Sequence, residues 1–415
     1  MMPKLTIRSI TKAIAVAAVA LIVWVQPVQA QFGMGGGGDM SQYMAPITKK
    51  AVESYATLLG MDKEQKEAAI ALQEGYRSSF KQMQADIQKT TKEMMEKIQD
   101  SGDWSSMGKE MAKMGKDMTE KMEKLEKGFL DDVKSLLNDK QKENWPRVER
   151  TRRRDTALRM TLMAGQNVDL VKMLQSVGVK TDAPPELAEQ VDRYEIEMDK
   201  ALKAFEVWGK DQQSKQVKAM EDGGMNFDMA SIQAMMKEMA NMARGMRDTN
   251  RQYAKTIQAM LPADKRAKFD YEIKKKSFPR VYKESYAIRA ISEAEKFNDL
   301  DAGQKESLAT LKDGYVREQE ALNKTWAAAI EDREEKLGGT MGAMMAGFMP
   351  GEKDKKDDVG DARKARKELD QRTKDKLLTI LKEDQKSRLP EDKPDPKDKQ
   401  GFDFMPIDPP EPDDE

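Results

Sequence analysis

The feature that most constrains this chain is that it repeats itself. Gln65, Lys66, Glu67, Leu72, Gly75 and Tyr76 fall on Gln304, Lys305, Glu306, Leu311, Gly314 and Tyr315 at a single offset of 239 residues. A middle copy lies at an offset of 118, where Gly60 falls on Gly178 and Tyr76 on Tyr194. The second half of each copy has its own echo, in Leu136-Leu137 to Trp145, Met260-Leu261 to Phe269 and Ile380-Leu381 to Leu389. Trp145-Pro146-Arg147-Val148 also returns as Phe278-Pro279-Arg280-Val281, nine residues later than the other middle-copy match, which reads as an insertion. A unit of about 120 residues cannot hide its apolar face alone and must pair with its own other half or with a neighbour. The copies predict units at 46–160, 161–289 and 290–390.

Inside each unit the apolar period is helical. Leu72, Tyr76, Phe80, Met83, Ile87, Met94 and Ile98 recur mostly three or four residues apart. After a break at Ser101-Gly102-Asp103 the stripe resumes as Met107, Met111, Met114, Met118, Met122, Leu125, Phe129, Val133 and Leu136, roughly 45 Å of helix at 1.5 Å per residue. Two such helices joined by a polar break predict a long antiparallel hairpin of coiled-coil type. The middle unit breaks near Gly223-Gly224 and the third at Gly338-Gly339, with a charged loop from Pro350 to Gly360. A Pro after each unit's last helix is expected to stop it, because Pro has no N–H for the next backbone bond. The predicted fold is all-α: three tandem long antiparallel helical hairpins forming an elongated array or bundle.

The ends differ in kind. Lys4, Arg8 and Lys12 precede an unbroken apolar run from Ala13 to Val25, and Val28-Gln29-Ala30 places small residues where a signal peptidase cuts. Residues 1–30 therefore read as a signal peptide for Sec-type export, and the mature chain is expected to be extracytoplasmic, periplasmic or secreted, with no transmembrane segment left after cleavage. Residues 31–45 form a Gly-rich flexible lead, and 391–415 a Pro-rich acidic tail expected to be disordered.

Composition excludes several chemistries. The chain has no His and no Cys, which removes thiol catalysis, disulfides, thiolate or imidazole metal sites and the commonest general base. Without Lys4, Arg8 and Lys12 the balance is 69 basic against 73 acidic residues, a net of −4, which argues against nucleic acid as a partner. With 39% hydrophobic and 35% charged residues the chain suits long amphipathic helices that bury a narrow stripe. No catalytic residue, metal site or cofactor is assigned, and the chain is read as non-enzymatic.

Short motifs recur where the helices begin. Asp62-x-x-Gln65, Asn138-x-x-Gln141 and Asp301-x-x-Gln304 each put a capping side chain three residues before a Gln, the arrangement of a capping box. Lys382-x-x-Gln385 keeps the Gln without the cap. Met61-Asp62-Lys63-Glu64-Gln65, Leu137-Asn138-Asp139-Lys140-Gln141, Leu300-Asp301-Ala302-Gly303-Gln304 and Leu381-Lys382-Glu383-Asp384-Gln385 resemble the LTxxQ signature of the Spy/CpxP-type periplasmic proteins, although none has that family's Thr. The resemblance implies ATP-independent holding of unfolded clients, or an envelope-stress role, on a helical surface, with each unit similar to one member of that family.

Methionine is the remaining feature, at 32 residues. It gathers around each turn and second helix, which marks Met107, Met111, Met114, Met118, Met225, Met229, Met235, Met239, Met341, Met344 and Met345 as candidate client-binding residues, since unbranched thioethers mould to varied apolar partners. The same spacing suits flexible filler in closed helix seams, and soft thioethers also suit Cu(I). Basic runs at Arg147, Arg150, Arg152, Arg153 and Arg154, and at Lys274, Lys275, Lys276, Arg280 and Lys283, read as solvated, salt-bridged faces. The expected partners are protein clients or envelope components. A structural spacer of the envelope and a Met-based Cu(I) binder are the alternatives.

Overall fold

A computed structural model of the chain describes residues 46–101, 107–180, 184–221, 229–346 and 357–392. The expected signal peptide and Gly-rich lead, nearly all of the expected acidic tail, and residues 102–106, 181–183, 222–228 and 347–356 lie outside these residues. The fold is all-α, with no strand among the described residues. Two compact bodies account for the described residues: one holds those up to Met160 with Asp192–Met235, the other those of Thr161–Val191 with those from Met236 to Asp392.

The first body opens with α1 (Lys49–Leu59), which the Thr48 side chain caps by accepting from the Ala51 N–H. Val52, Tyr55, Ala56 and Leu59 bury one face, and Gly60 ends the helix in the left-handed region at φ 61°. Helices α2 (Lys63–Ser101) and α3 (Met107–Ser135) form the first antiparallel hairpin. At 39 residues, α2 is about 58 Å long. Tyr76, Phe80, Ile87, Met118, Met122, Phe129 and Val133 close the seam, with the Tyr76 and Phe129 rings 5.0 Å apart. A short α4 (Asp139–Lys142) then leads to α5 (Trp145–Ala157). Pro146 does not stop a helix as expected. It lies in the first turn of α5, where its missing N–H has no partner to lose.

The second body begins with residues 161–170, every one of which is buried although only the last is helical. They lead through α6 (Leu170–Ser176) into α7 (Pro185–Glu221), whose stretch from Asp192 belongs to the first body. Helix α8 (Met229–Met260) belongs from Met236 onward to the second body, which continues through α9 (Ala263–Ser277) and α10 (Tyr286–Ala294). Helices α11 (Ala302–Leu337) and α13 (Asp358–Ile380) pair along their length as a second closed hairpin, with α12 (Gly339–Ala346) at its turn and α14 (Glu383–Lys386) at its base. Ala290, Ile291, Ala294, Leu300, Leu308, Leu377 and Leu381 form its basal core.

The expected middle unit 161–289 is thus divided between the two bodies, and charge supplies the reason. Within the first body, Asp192, Glu195, Asp199 and Glu206 of α7 pair with arginines of α5. Within the second, Arg244, Arg247 and Arg251 of α8 pair with Glu335 and Glu331 of α11. Each long middle helix therefore has a body of its own to pack in. Short α1, α6 and α10, which the hairpin pattern does not include, precede the long helices and are capped by Thr48, Asp169 and Ser285.

Gly339 is the most closely approached of the glycines with positive φ. It sits at φ 83°, and a Cβ there would lie 2.8 Å from the Leu162 carbonyl oxygen, which also accepts from the Thr340 N–H at 2.9 Å. A Cβ on Gly60 meets nothing within 4 Å. Gly60→Ala is expected to cost about 1 kcal/mol for the left-handed backbone alone, and Gly339→Ala at least twice that, because a backbone oxygen must also move. Urea unfolding of both variants checks the order.

Candidate functional site

The glutamines of the repeated motif do more than cap. Gln65 accepts from the Asp62 N–H at 3.1 Å while Asp62 accepts from the Gln65 N–H at 2.8 Å, and Asn138 with Gln141 repeats the exchange at 3.0 and 2.9 Å. The two side-chain amides then meet each other across the base of the hairpin. Gln65 Nε2 donates to Gln141 Oε1 at 2.9 Å, and Gln141 Nε2 to Gln65 Oε1 at 2.8 Å. Their remaining amide hydrogens go to the Leu136 carbonyl at 2.7 Å and the Gly60 carbonyl at 2.9 Å. A carboxamide has two donors and two acceptor lone pairs, and here both residues use all of them.

The last repeat builds the same clasp. Asp301 and Gln304 form the full box at 3.2 and 2.8 Å, and Gln304 Nε2 donates to Gln385 Oε1 and to the Ile380 carbonyl, both at 2.8 Å. Gln385 accepts from the Lys382 N–H at 3.0 Å and donates to the Asp299 carbonyl at 3.3 Å. Lys382 has no acceptor to return the cap, as its residue type dictates. Arg388 secures this end from outside, donating to Asp299 at 2.7 Å and lying 4.2 Å from the Phe297 ring centroid. The hydrogen bond from Arg388 holds the Asp299 carboxyl below the usual range.

In the middle repeat the alignment that places Met260-Leu261 on Leu136-Leu137 puts Lys265 where Gln141 stands. Lys265 Nζ donates to the Val177 carbonyl at 2.8 Å, so an ammonium does there the part of the work that Gln141 does at Gly60 and Gln385 at Asp299. Sequence reasoning missed this lysine, because its role is defined by the carbonyl it reaches rather than by a capping box.

The arginine run of α5 is salt-bridged as expected but not a solvated face: Arg152 and Arg154 are buried, and Arg147, Arg150 and Arg153 half-buried. Arg152 pairs with Glu126 at 2.5 Å, Arg154 with Glu195 at 2.8 Å, Arg150 with Asp192 at 3.0 Å, and Arg153 with Asp199 and Glu206. Arg154 and Glu195 are each about 1% exposed. Burial alone would pull the Arg152 guanidinium down, but Glu126 more than offsets it and raises the guanidinium above its ordinary value. Burial also pushes the neighbouring Tyr76 phenol up to about 12. Bidentate guanidinium geometry suits such desolvated pairs better than an ammonium does.

The buried 161–170 segment is a second polar centre that no sequence motif announces. Glu334, itself buried, accepts from the Ala164 N–H and the Thr340 hydroxyl, both at 2.8 Å. Asn250 Nδ2 donates to the Gly165 carbonyl at 2.9 Å, and Arg247 donates to Met163 Sδ at 3.2 Å and to Glu335 at 2.6 Å. These side chains supply the partners that a buried, non-helical backbone requires. Burial pushes the Glu334 carboxyl up, whereas hydrogen bonds from Arg244 and then Arg247 hold Glu335 at about 2.

Of the candidate methionines, Met118 and Met239 are buried and Met114 and Met235 half-buried. Met114 Sδ accepts from the Thr91 hydroxyl at 3.5 Å across the first hairpin. Met107 and Met111 lie on α3, Met229 on α8, and Met341, Met344 and Met345 on α12, but their side chains, like Met225 as a whole, lie outside the described residues. The described members of the set are shared between the two bodies. Among the described residues no group of carboxylates stands close enough to hold a metal ion, and no helix is long and apolar enough to cross a membrane. No family model, curated protein or solved structure matches the chain.

Two outcomes follow from this geometry. Gln65→Ala and Gln141→Ala each leave part-buried partners unpaired and should cost about 1 kcal/mol. The double variant should cost less than the sum by about 1 kcal/mol. Strict additivity in urea unfolding would make the two glutamines independent caps. For pH, the depressed Glu335 carboxyl contributes stability that is present above the ordinary carboxylate range and lost as pH falls towards about 2. Glu334 works in the opposite sense, costing stability as pH rises through its raised value. Glu335→Gln should therefore flatten the acid limb of a stability–pH curve measured by urea unfolding.

Proposed function

We propose that this chain is an exported, non-enzymatic helical binding protein that holds unfolded or apolar protein clients, of the chaperone type to which its LTxxQ-like motifs are similar. The observation that carries this reading is a change of side-chain type along the first hairpin. Near the base the seam is Leu59, Tyr76, Phe129, Val133, Leu137 and Trp145, in contact with α1 and α5. Farther out, in 83–101 and 107–122, no aromatic residue remains, and Met83, Met94, Met114, Met118 and Met122 outnumber the branched apolar Ile87 and Ile98. A rigid base and a methionine arm divide the work: the base sets the shape, and unbranched thioethers along the outer hairpin adapt to varied apolar surfaces.

The burial of Met118 and Met239 favours a second reading, a spacer whose seams are closed. The two readings part on one experiment. The mature chain is incubated with an aggregating client and light scattering is followed, with Met107, Met111 and Met114 changed together to Leu in a second sample. Because Met→Leu nearly conserves volume, the fold should lose less than about 1.5 kcal/mol. A holdase suppresses scattering, and the variant suppresses it several-fold less well. Scattering no lower than with an inert helical protein leaves the spacer.

A further inference from the structure

The second body carries a shallow groove of about 370 Å³ between the end of α6 and one face of α9. Ser176 and Val177 form one wall, and Ala267, Lys268, Tyr271 and Glu272 the other. Tyr271 is 45% exposed, yet its ring is fixed in place. Its hydroxyl donates to the Tyr282 carbonyl at 3.3 Å, and the two rings meet edge to face at 6.5 Å. Lys268 is exposed on the rim and makes no ion pair among the described residues, whereas Lys265 and Lys274 of the same helix both have partners. An immobilised aromatic ring beside a free ammonium fits an aromatic side chain that has a carboxylate next to it.

The chain contains such a segment. Between Pro390 and Glu415 the apolar residues other than Pro are Phe402, Phe404, Met405 and Ile407, all within six positions, and Asp403 stands between the two rings. We infer that Phe402–Ile407 seats in this groove, with a Phe ring against Tyr271 and Val177 and the Asp403 carboxylate at Lys268. Charge favours the match: the sequence from Phe402 on has six acids and no cation, while α9 has six cations against three acids. Glu272, on the same wall, sets the direction by repelling the acids from its end. The chain's last described residue, Asp392, is held by Lys374 at 2.5 Å in this same body. From there ten residues lead to Phe402 and reach up to about 33 Å when extended. A tether that spans the gap supplies an effective concentration in the millimolar range, which favours filling even a shallow groove. The groove is then occupied by the chain's own tail, and an outside peptide must displace it. This inference does not rest on the holdase reading.

The test uses the full chain and a labelled synthetic peptide of residues 399–410, with binding followed by fluorescence anisotropy. Phe402→Ser with Phe404→Ser should vacate the groove, so that this double variant binds the peptide at least about tenfold more tightly than the unaltered chain does. Adding Tyr271→Ala or Lys268→Glu to the double variant should weaken that binding about tenfold, with unchanged helical circular dichroism showing that the fold is intact. Restored binding of Lys268→Glu by a peptide carrying Asp403→Lys would fix the pairing. Equal binding by the unaltered chain and the double variant, no binding at millimolar peptide, or binding indifferent to Tyr271 and Lys268 overturns the inference. A scrambled peptide of the same composition binding as well also overturns it, and makes the groove a general client site.

Discussion

A glutamine side chain can satisfy four hydrogen-bonding groups at once, and both closed hairpins of this protein are built on that property. At the base of a long antiparallel pair, two chain segments and two helix starts converge, each bringing backbone groups that helix geometry leaves unpaired. One amide caps its own helix and also reaches across to a carbonyl and to its partner amide. The Gln65–Gln141 and Gln304–Gln385 pairs therefore hold together residues 76 and 81 positions apart in the chain. With the base in register, the apolar stripes above it meet without sliding. A neutral amide suits this place because it leaves no charge to desolvate, whereas Lys265 in the middle repeat brings one and keeps it half-buried.

Charge then decides which body each long middle helix joins. Once Arg154 and Glu195 are removed from water, neither can be left alone, because an unpaired buried ion costs several kcal/mol. The acids of α7 are committed to α5, and the arginines of α8 to α11. The same logic explains how residues 161–170 can be buried without helical hydrogen bonds: Glu334, Asn250 and Thr340 provide what a helix would otherwise provide for itself. Arg154, Glu195, Glu334 and Asn250 each have a partner within their own body and serve to hold the fold.

The apolar surfaces carry what remains for function. Packing is aromatic near the clasps, and along the arm Met83, Met94, Met114, Met118 and Met122 share the stripe with Ile87 and Ile98 and no ring. Tyr271 shows a different economy, a ring fixed by its own hydroxyl and left partly uncovered. Both features suit recognition of apolar segments, one by moulding to them and the other by waiting in a set geometry.

Much of this was legible in the residues alone. The 3.6-residue stripe of Tyr76, Phe80, Ile87 and Ile98 and its counterpart on α3 determine long amphipathic helices wherever they occur. The spacing of Asp62 to Gln65 and of Asp301 to Gln304 determines where those helices start, since capping is local. The sequence also placed a proline of α5 wrongly as a stop, because Pro at a helix start and after a helix end read alike without neighbours. The tertiary structure alone decided that the capping glutamines face each other, that Lys265 reaches the Val177 carbonyl, that Arg152 and Arg154 lie inside, and that the middle repeat is divided between two bodies. Each of these depends on groups far apart in the chain coming within 3 Å or so of one another. Local periodicity carries no information about which distant partner will be there to meet them.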